Sequence, residues 1–351
     1  MGKGNIVLTS NRAAAAQSLR SEDRSPLDPE AAAFLEFAAA LGKPPSYALP
    51  YDEARSAVRA AGPQLCLPGP EMASIDDLSV PSPEGPIGMR LYTPLDCEDP
   101  SPLLIFFHGG GFVYCDLDTH DGLCRSLAAH GRCMVASVDY RLAPEYPFPA
   151  APNDAVAATL WLQANAERLS VDPARIAVAG DSAGGNLAAG VCHVVPGLSG
   201  QLLLYPWLDF RMQHRSHFQN ADGYMLTRAA LLWFRSHYLT DAGQRRAPRA
   251  SPLLSLSFVG LPPAFILTAG YDPLCCEGVD YAQRLEAAGV PVEHVDYAGQ
   301  IHGFAMMTRI MSAADRAVRQ AADWLTAIWS QPLERQAYEL PTHATEAASR
   351  V

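Results

Sequence analysis

A serine set between two glycines is the residue of this chain best suited to act as a nucleophile. Ser182 lies in the segment Gly180–Gly184 (G-D-S-A-G), which follows the apolar run Ile176–Ala179 and precedes the helix-forming residues Asn186–Ala189. A strand that turns sharply into a helix strains its corner residue, and small residues two positions away on either side relieve the crowding. Such a turn exposes the serine hydroxyl and leaves the N–H of Ala183 free at a helix N-terminus.

A second glycine-rich segment supplies candidate donors for a developing negative charge. His108-Gly109-Gly110-Gly111-Phe112 follows the apolar run Leu103–Phe107 directly. Three glycines after a strand allow backbone N–H groups to turn inward, where they would stabilise an oxyanion on a carbonyl carbon under attack. A phosphate-binding loop is the alternative, but the segment lacks both the Gly-Lys-Ser/Thr of a P-loop and the spacing of a dinucleotide site.

An acid and a base follow the serine along the chain. Asp272 comes just after the apolar run Ala264–Thr268, and His302 comes just after Val292–Tyr297. The carboxyl ends of parallel strands share one edge of a sheet, so both side chains are predicted to meet Ser182 there. His302 would take the hydroxyl proton, and Asp272 would fix the imidazole tautomer and stabilise the imidazolium.

Three other aspartates are rivals for the role of the acid. Asp181 adjoins the serine, but neighbours in a tight turn point in different directions; Asp209 and Asp296 lie beside other strand ends. Asp272 is favoured because its strand precedes that of His302 and should lie beside it. The order of serine, acid and base also argues against a trypsin-like protease, in which the serine comes last.

Taken together, these motifs resemble the hormone-sensitive lipase family, the bacterial family IV esterases of the α/β-hydrolase fold. The resemblance covers roughly residues 30 to 330, and its matching segments are His108–Phe112, Asp139–Glu145, Phe148–Ala151 with Asp154, Gly180–Gly185, Gly270–Leu274 and His302–Phe304. It implies an oxyanion hole made by the N–H groups of Gly110, Gly111 and Ala183. The supporting motif residues are then His108, Gly109, Gly180, Asp181 and Gly184. Arg141, Glu145 and Asp154 are expected to form ion pairs beneath the site.

The predicted function is that of a serine carboxylesterase acting on short- to medium-chain esters, with Ser182, Asp272 and His302 as its triad and no cofactor or metal. Candidate pocket walls are Phe112, Tyr224, Met225 and Phe304, although such residues are more often plain core. An amidase or deacetylase using the same triad is one alternative. A non-catalytic hydrolase-fold binding protein is another, disfavoured because all three triad members are present.

Composition narrows the setting in which the protein works. The formal net charge of -11 disfavours nucleic acid and anionic membranes as main partners. No apolar run is long enough for a stable membrane anchor, and the first ten residues are too weakly apolar for a secretory signal. The eight cysteines show no metal-ligand spacing, which predicts a reduced, cytoplasmic protein. Cys275 and Cys276 are adjacent, but no redox partner is apparent in the sequence. The sequence leaves a homodimer open.

The order of elements predicts a mostly parallel sheet flanked by helices. Strands are expected at residues 89–92, 103–107, 134–138, 176–179, 201–205, 264–268 and 292–297, and helices at 31–41, 52–61, 153–165, 183–192, 227–238, 278–288 and 313–329. Residues 1–75, in which no strand is expected, are predicted to form a helical cap to which 207–240 contribute. Residues 76–330 would form the catalytic domain, and 331–351 a flexible tail.

One segment departs from the family pattern. Between Gly185 and the strand at Gln201 the chain is shorter than is usual in the family, with Val194–Gly200 replacing several helical turns. We therefore expect a truncated nucleophile helix with an exposed apolar flank, which the tail after Gln331 could cover.

Overall fold

An eight-stranded, mostly parallel sheet forms the centre of the structure, a computed structural model that describes residues 24–330. The sheet order is β1-β2-β4-β3-β5-β6-β7-β8; β2 runs antiparallel to β1 and β4, and the other pairs are parallel. The strands are Met72–Val80 (β1), Ile87–Pro94 (β2), Ser101–Phe107 (β3), Met134–Asp139 (β4), Val171–Asp181 (β5), Gly200–Leu204 (β6), Ala264–Tyr271 (β7) and Val292–Ile301 (β8).

Helices cover both faces of this sheet. They are Pro29–Ala40 (α1), Tyr51–Leu65 (α2), Asp121–Gly131 (α3), Ala150–Ala164 (α4), Ala183–Cys192 (α5), Ser216–Gln219 (α6), Arg228–Tyr238 (α7), Cys275–Ala287 (α8) and Ser312–Ser330 (α9). Leu103 and Ile105 of β3 pack into the apolar cluster that holds residues of α4, α5 and α8. Leu104 and Phe106 pack into a separate cluster with α3 and α9. All seven residues of β3 are buried because helices cover the strand on both faces.

The predicted α/β-hydrolase fold is confirmed, and so are the seven predicted strands and seven predicted helices, each within a few residues. Helix α3 was not predicted, although its buried residues Leu123, Cys124, Leu127 and Ala128 recur at helical spacing. The expectation that no strand lies in residues 1–75 is wrong, because β1 begins at Met72. This strand is mostly exposed at the edge of the sheet, and its sequence therefore lacks the continuous apolarity of the central strands.

The short segment after the nucleophile helix does not have the predicted consequence. Helix α5 has only ten residues, but all of them except the partly buried Gly190 are buried, so the expectation of an exposed apolar flank is wrong within the helix. Its small residues allow close packing on α4 and β5, which buries the helix despite its length. Exposed apolar surface begins just beyond it, at Val194. The predicted covering tail lies outside the described residues.

Helix α2 and helix α7 lie over the loops that follow β3 and β4. The ring of Tyr51 contacts that of His237 with centroids 6.4 Å apart. Arg55 donates to the carbonyl oxygens of Val113 (2.7 Å) and Ala143 (2.9 Å). This packing is consistent with a cap assembled from residues 1–75 and 207–240, a division that stays a prediction.

The ion pairs beneath the site differ in part from those that the family resemblance implies. Arg141 pairs with Asp154 at 2.7 Å, as expected. Glu145 instead pairs with Arg55 of α2, also at 2.7 Å. Sequence spacing could not reveal this partner, because α2 reaches Glu145 only through the tertiary packing of the chain.

The residues just before α1 cross the ends of the last two strands. Arg24 donates from Nη2 to the carbonyl oxygen of Gly270 (2.8 Å), and its guanidinium lies 3.5 Å from the ring centroid of Tyr271. The N–H of Asp28 donates to the carbonyl oxygen of Gly299 (2.9 Å). Residues 24–28 thus hold together the segments that lead to Asp272 and His302, and we call them the N-terminal strap.

Candidate active site

Ser182 occupies the corner between β5 and α5 in a strained conformation. Its φ of 54° and ψ of -114° lie outside the regions that serine ordinarily adopts. A Cβ at Gly184 would lie 1.8 Å from the carbonyl oxygen of Phe107, and one at Gly180 would lie 2.2 Å from the carbonyl carbon of Gly184. Glycine is therefore required at both positions, because the nucleophile turn packs directly on the end of β3.

The structure brings Ser182, His302 and Asp272 into one hydrogen-bonded row. Nε2 of His302 lies 3.0 Å from Oγ of Ser182, and Nδ1 lies 2.6 Å from Oδ2 of Asp272. The carboxylate can only accept, so Nδ1 carries a proton and the neutral imidazole presents Nε2 as an acceptor to the hydroxyl. Asp272 is fully buried and Ser182 is 8% exposed, which leaves the hydroxyl a narrow approach from outside.

Two residues that sequence reasoning missed fix the loop bearing the acid. Asn220 donates from Nδ2 to the carbonyl oxygen of Asp272 (2.8 Å), and Ser216 donates from Oγ to that of Pro273 (2.6 Å). Oδ1 of Asp272 accepts from the N–H of Leu274 (2.8 Å). Ser216 begins the four-residue helix α6 and Asn220 follows its end, in a segment between β6 and α7 that no periodicity or motif marked.

The glycine loop after β3 presents backbone donors beside the nucleophile turn. Gly110 and Gly111 adopt φ values of 103° and 62°, which favour glycine. Among the hydrogen bonds within residues 24–330, none uses the N–H of Gly110, Gly111 or Ala183 as its donor. These three groups therefore remain available to a substrate oxygen.

Asp181 supports this loop rather than the triad. Its Oδ1 accepts from the N–H of Gly109 (2.7 Å) and lies 3.1 Å from Nε2 of His120. Burial alone would raise the pKa of Asp181, but the charge of and hydrogen bond to His120 lower it below the usual value. The ionised carboxylate thus links the nucleophile turn to the start of the glycine loop.

The other rival acids are engaged elsewhere. Asp209 is fully buried and pairs with Arg211 at 2.8 Å. Asp296 accepts from Oγ1 of Thr268 at 2.9 Å. Of the four aspartates weighed from the sequence, Asp272 is the one that contacts His302.

The candidate pocket walls fall into different environments. Phe112 is fully buried and stacks on Tyr238 with centroids 3.9 Å apart, and Phe304 is fully buried against Tyr205. Tyr224 packs against Tyr271, whereas Met225 is 49% exposed. Phe112 and Phe304 thus belong to the core around the site. Their role as pocket walls, like that of Tyr224 and Met225, stays a prediction.

The fully buried His108 and the partly buried His193 make stability depend on pH. His108 stacks on Tyr140 with centroids 4.3 Å apart, and burial lowers its pKa to about 4, helped by the nearby His120. Burial also lowers the pKa of His193 to about 4. Both imidazoles are therefore neutral in the folded protein under conditions in which an exposed histidine is protonated.

We expect acid to destabilise the protein because of these two histidines. In the unfolded chain each of the two imidazoles has the ordinary pKa of 6.5 and is protonated below that pH. In the folded protein each pKa is about 4, so protonation there requires a much lower pH. Because the folded-state pKa is depressed, the contribution of each neutral histidine to the free energy of unfolding is fully present above pH 6.5. It decreases as the pH falls from 6.5 towards 4. Each histidine contributes a loss of about 2 kcal/mol at about pH 5. Urea unfolding at neutral and at acidic pH measures this loss. His193→Gln should remove roughly half of it, and an unchanged pH dependence in this variant would contradict the assignment.

Neither a metal cluster nor a membrane-spanning helix is evident between residues 24 and 330. No group of three or more His, Cys, Asp or Glu side chains in that range is arranged to hold a metal ion. No helix in the same range combines the length and apolarity needed to cross a bilayer.

Comparisons with known proteins find relatives of this chain among the carboxylic ester hydrolases. A family model for the α/β-hydrolase fold matches residues 104–306. The chain is 45% identical to carboxylic ester hydrolase LipN of Mycobacterium tuberculosis over 73% of its own length and 72% of LipN. It is 38% identical to ethyl acetate hydrolase of Pseudomonas putida, covering 82% of this chain and 95% of that one. The solved structure of an ester hydrolase from the Lake Arreo metagenome, bound to a phosphonate derivative, superimposes with a TM-score of 0.85 at 41% identity, covering 87% of this chain and all of that one.

Proposed function

The chain belongs to the α/β-hydrolase family of hormone-sensitive-lipase-like carboxylic ester hydrolases, and from this premise we propose that it cleaves short- to medium-chain esters through an acyl-enzyme on Ser182. The observation that carries the proposal is the row of contacts from Asp272 through His302 to Ser182, at 2.6 and 3.0 Å. Both distances are within hydrogen-bond reach, as a nucleophile, its base and the orienting acid require.

In the acylation step, Nε2 of His302 takes the hydroxyl proton while Oγ of Ser182 attacks the ester carbonyl carbon. The buried Asp272 carboxylate stabilises the imidazolium that results. His302 then gives its proton to the departing alcohol as the carbon–oxygen bond breaks. Water, deprotonated by the same imidazole, then attacks the acyl carbon. The bond from that carbon to Oγ of Ser182 breaks, the imidazolium returns its proton to Oγ, and the carboxylic acid leaves. The carboxylate keeps its charge throughout.

The N–H groups of Gly110, Gly111 and Ala183 would stabilise the tetrahedral intermediate. They have no other acceptor within the described residues, and at Gly110 and Gly111 the lack of a side chain leaves room for an oxygen to approach. Such fixed donors stabilise charge that develops in the transition state without needing to reorganise. The contact between Asp181 and Gly109 supports this role, because it holds the start of the loop in place.

The preference for smaller acyl groups is supported by the aromatic side chains around the glycine loop. A Cβ at Gly111 would lie 2.3 Å from the ring of Phe234 on α7, so this helix closes directly over the loop. Beside it Phe112 stacks on Tyr238, and Trp207 packs on Phe210 with centroids 4.2 Å apart. These rings fill the space that a long acyl chain would need.

A chain-length series tests this preference. With p-nitrophenyl acetate, butyrate, octanoate and laurate as substrates, kcat/KM should peak at acetate or butyrate and be at least about tenfold lower for laurate, because a long chain cannot enter without displacing packed rings. A maximum at laurate would contradict the proposal. Turnover of p-nitroacetanilide as fast as that of p-nitrophenyl acetate would favour the amidase alternative.

A small-molecule ester is thus the proposed partner. We further propose that the protein is cytoplasmic and that it does not bind nucleic acid. The net charge of -11 and the absence of any disulfide among the eight cysteines, all in the described part of the chain, support this. Strand β8 forms one edge of the sheet and would be the surface of a homodimer. Size-exclusion chromatography with light scattering distinguishes a dimer from a monomer.

A further inference from the structure

Two adjacent cysteines begin the helix that follows the catalytic acid, and the proposed reaction uses neither. The N–H of Cys275 donates to the carbonyl oxygen of Asp272 (3.3 Å). The N–H of Cys276 donates to Oγ of Ser216 (3.4 Å), which itself donates to the carbonyl oxygen of Pro273. The first turn of α8 and the loop bearing Asp272 therefore form one hydrogen-bonded unit.

The surroundings of the two thiols favour a reactive thiolate at Cys276. The two cysteines are neighbours in the chain, both are reduced, and both residues are partly exposed. Interaction with the Cys275 thiol, together with the nearby Ser216 and Arg215, lowers the pKa of Cys276 well below its usual value against the opposing effect of burial. The same contact and burial raise the pKa of Cys275. The helix N-terminus also favours a negative charge at this position.

Other cysteines of the chain lack such surroundings. Cys124, Cys133 and Cys192 are buried, and Cys115 has a pKa raised to about 12 by burial. None of these four has a second thiol adjacent to it in the sequence. A lowered pKa and an adjacent second thiol therefore occur together at the start of α8.

We propose that Cys275 and Cys276 form a peroxide-sensitive dithiol that, once oxidised to a disulfide, switches the esterase off. Cys276 supplies the attacking sulfur, and Cys275 resolves the intermediate. Hydrogen peroxide is the oxidant.

The chemistry proceeds in two balanced steps. The Cys276 thiolate attacks one peroxide oxygen: a sulfur–oxygen bond forms, the oxygen–oxygen bond breaks, and hydroxide leaves and takes up a proton as water. The sulfur loses two electrons and becomes a sulfenic acid. The Cys275 sulfur then attacks that of Cys276, a disulfide bond forms, and the sulfenic oxygen leaves as a second water. Two thiols and one peroxide thus yield one disulfide and two waters.

Closing this disulfide would disturb the acid loop. A disulfide brings the two Cβ atoms within about 3.5–4.5 Å, whereas neighbouring residues of a helix direct their Cβ atoms about 100° apart. The peptide between Cys275 and Cys276 must therefore leave helical geometry, and the bond from Cys275 to the Asp272 carbonyl is lost with it. The carboxylate then no longer lies against Nδ1 of His302. This effect on turnover depends on the proposed triad, whereas disulfide formation does not.

The test exposes the full-length protein to hydrogen peroxide and follows two readouts. Hydrolysis of p-nitrophenyl butyrate should fall at least about tenfold, as expected when a catalytic group is misplaced by about an ångström, and dithiothreitol should restore it. Mass spectrometry after alkylation should show the peptide with Cys275 and Cys276 lighter by two hydrogens and without alkyl groups.

Matched variants separate this site from other oxidation. Cys276→Ser and Cys275→Ser should hydrolyse ester at the parent rate before treatment and should keep that rate in peroxide. Cys66→Ser, which removes another partly exposed thiol, should be inactivated like the parent. Inactivation of Cys276→Ser at the parent rate would overturn the proposal, as would a disulfide that forms without loss of turnover. Failure of the untreated parent to hydrolyse ester would contradict the proposed function instead.

Discussion

Replacing Ser182 with alanine should reduce kcat for p-nitrophenyl butyrate by about 10⁵-fold or more, because the variant loses the oxygen that forms the acyl-enzyme. Residual turnover above the uncatalysed rate should remain, since the backbone donors at Gly110 and Gly111 are unaffected. The side chain is small, and its loss removes only the contact with His302. The measurement is steady-state hydrolysis, with thermal unfolding by circular dichroism to establish that the variant is folded.

A fluorophosphonate probe gives an independent readout of the same prediction. The probe should label the parent at the peptide holding Ser182 and leave Ser182→Ala unlabelled. The peptide that holds Ser216 is the internal control in this labelling. Ser216 is also buried and hydrogen-bonded, but it lies outside the row of Ser182, His302 and Asp272. Labelling of a different serine in the parent, or full hydrolysis by a folded Ser182→Ala protein, would rule out the assignment of the nucleophile.

The second large effect concerns the acid. Asp272→Asn should lower kcat by about 10⁴-fold, because an amide neither fixes the tautomer of His302 nor stabilises its protonated form. Asp296→Asn is the matched control: this carboxylate comes from a nearby strand and accepts from Thr268, but it does not contact His302. The control should retain activity within about twofold of the parent, since the charge it removes does not contact the reacting atoms.

Equal losses in the two aspartate variants would contradict this choice of acid. So would a larger loss in Asp296→Asn, which would give that residue the role instead. The KM of Asp272→Asn should stay near that of the parent, because Asp272 is fully buried and does not reach the substrate. A rise in KM with unchanged kcat would indicate a disturbed pocket rather than a lost acid.

Local signals in the sequence were sufficient to predict the central strands and the three side chains that the structure brings into one hydrogen-bonded row. Strand β3 is continuously apolar because helices cover both of its faces, and that burial appears directly in its residue types. Ser182 is identified by the glycines that its turn requires. A Cβ at Gly184 would clash with Phe107, and a Cβ at Gly180 would clash with Gly184. Asp272 and His302 each follow a strand of the parallel part of the sheet. Because the carboxyl ends of parallel strands lie at the same edge, the topology brings the two residues together.

The parts that sequence missed depend on contacts between distant segments. Within residues 24–330, the exposed edge strand β1 pairs only with β2, and such a strand needs no continuous apolar run. Asn220 reaches the carbonyl of Asp272 across 52 positions, and Arg55 reaches Glu145 across 90. No local pattern encodes such partners, because the folding of the whole chain brings them together.

The N-terminal strap has a consequence for synthesis of the protein on the ribosome. Arg24 is made early, but its acceptor at Gly270 emerges 246 residues later, and the acceptor of Asp28 lies later still. Contacts so distant along the chain form late in folding, since closing a long loop costs entropy before it gains contacts. The strap can therefore close only after Gly299 has been made, and a shorter nascent chain should lack the link between the segments that lead to Asp272 and His302.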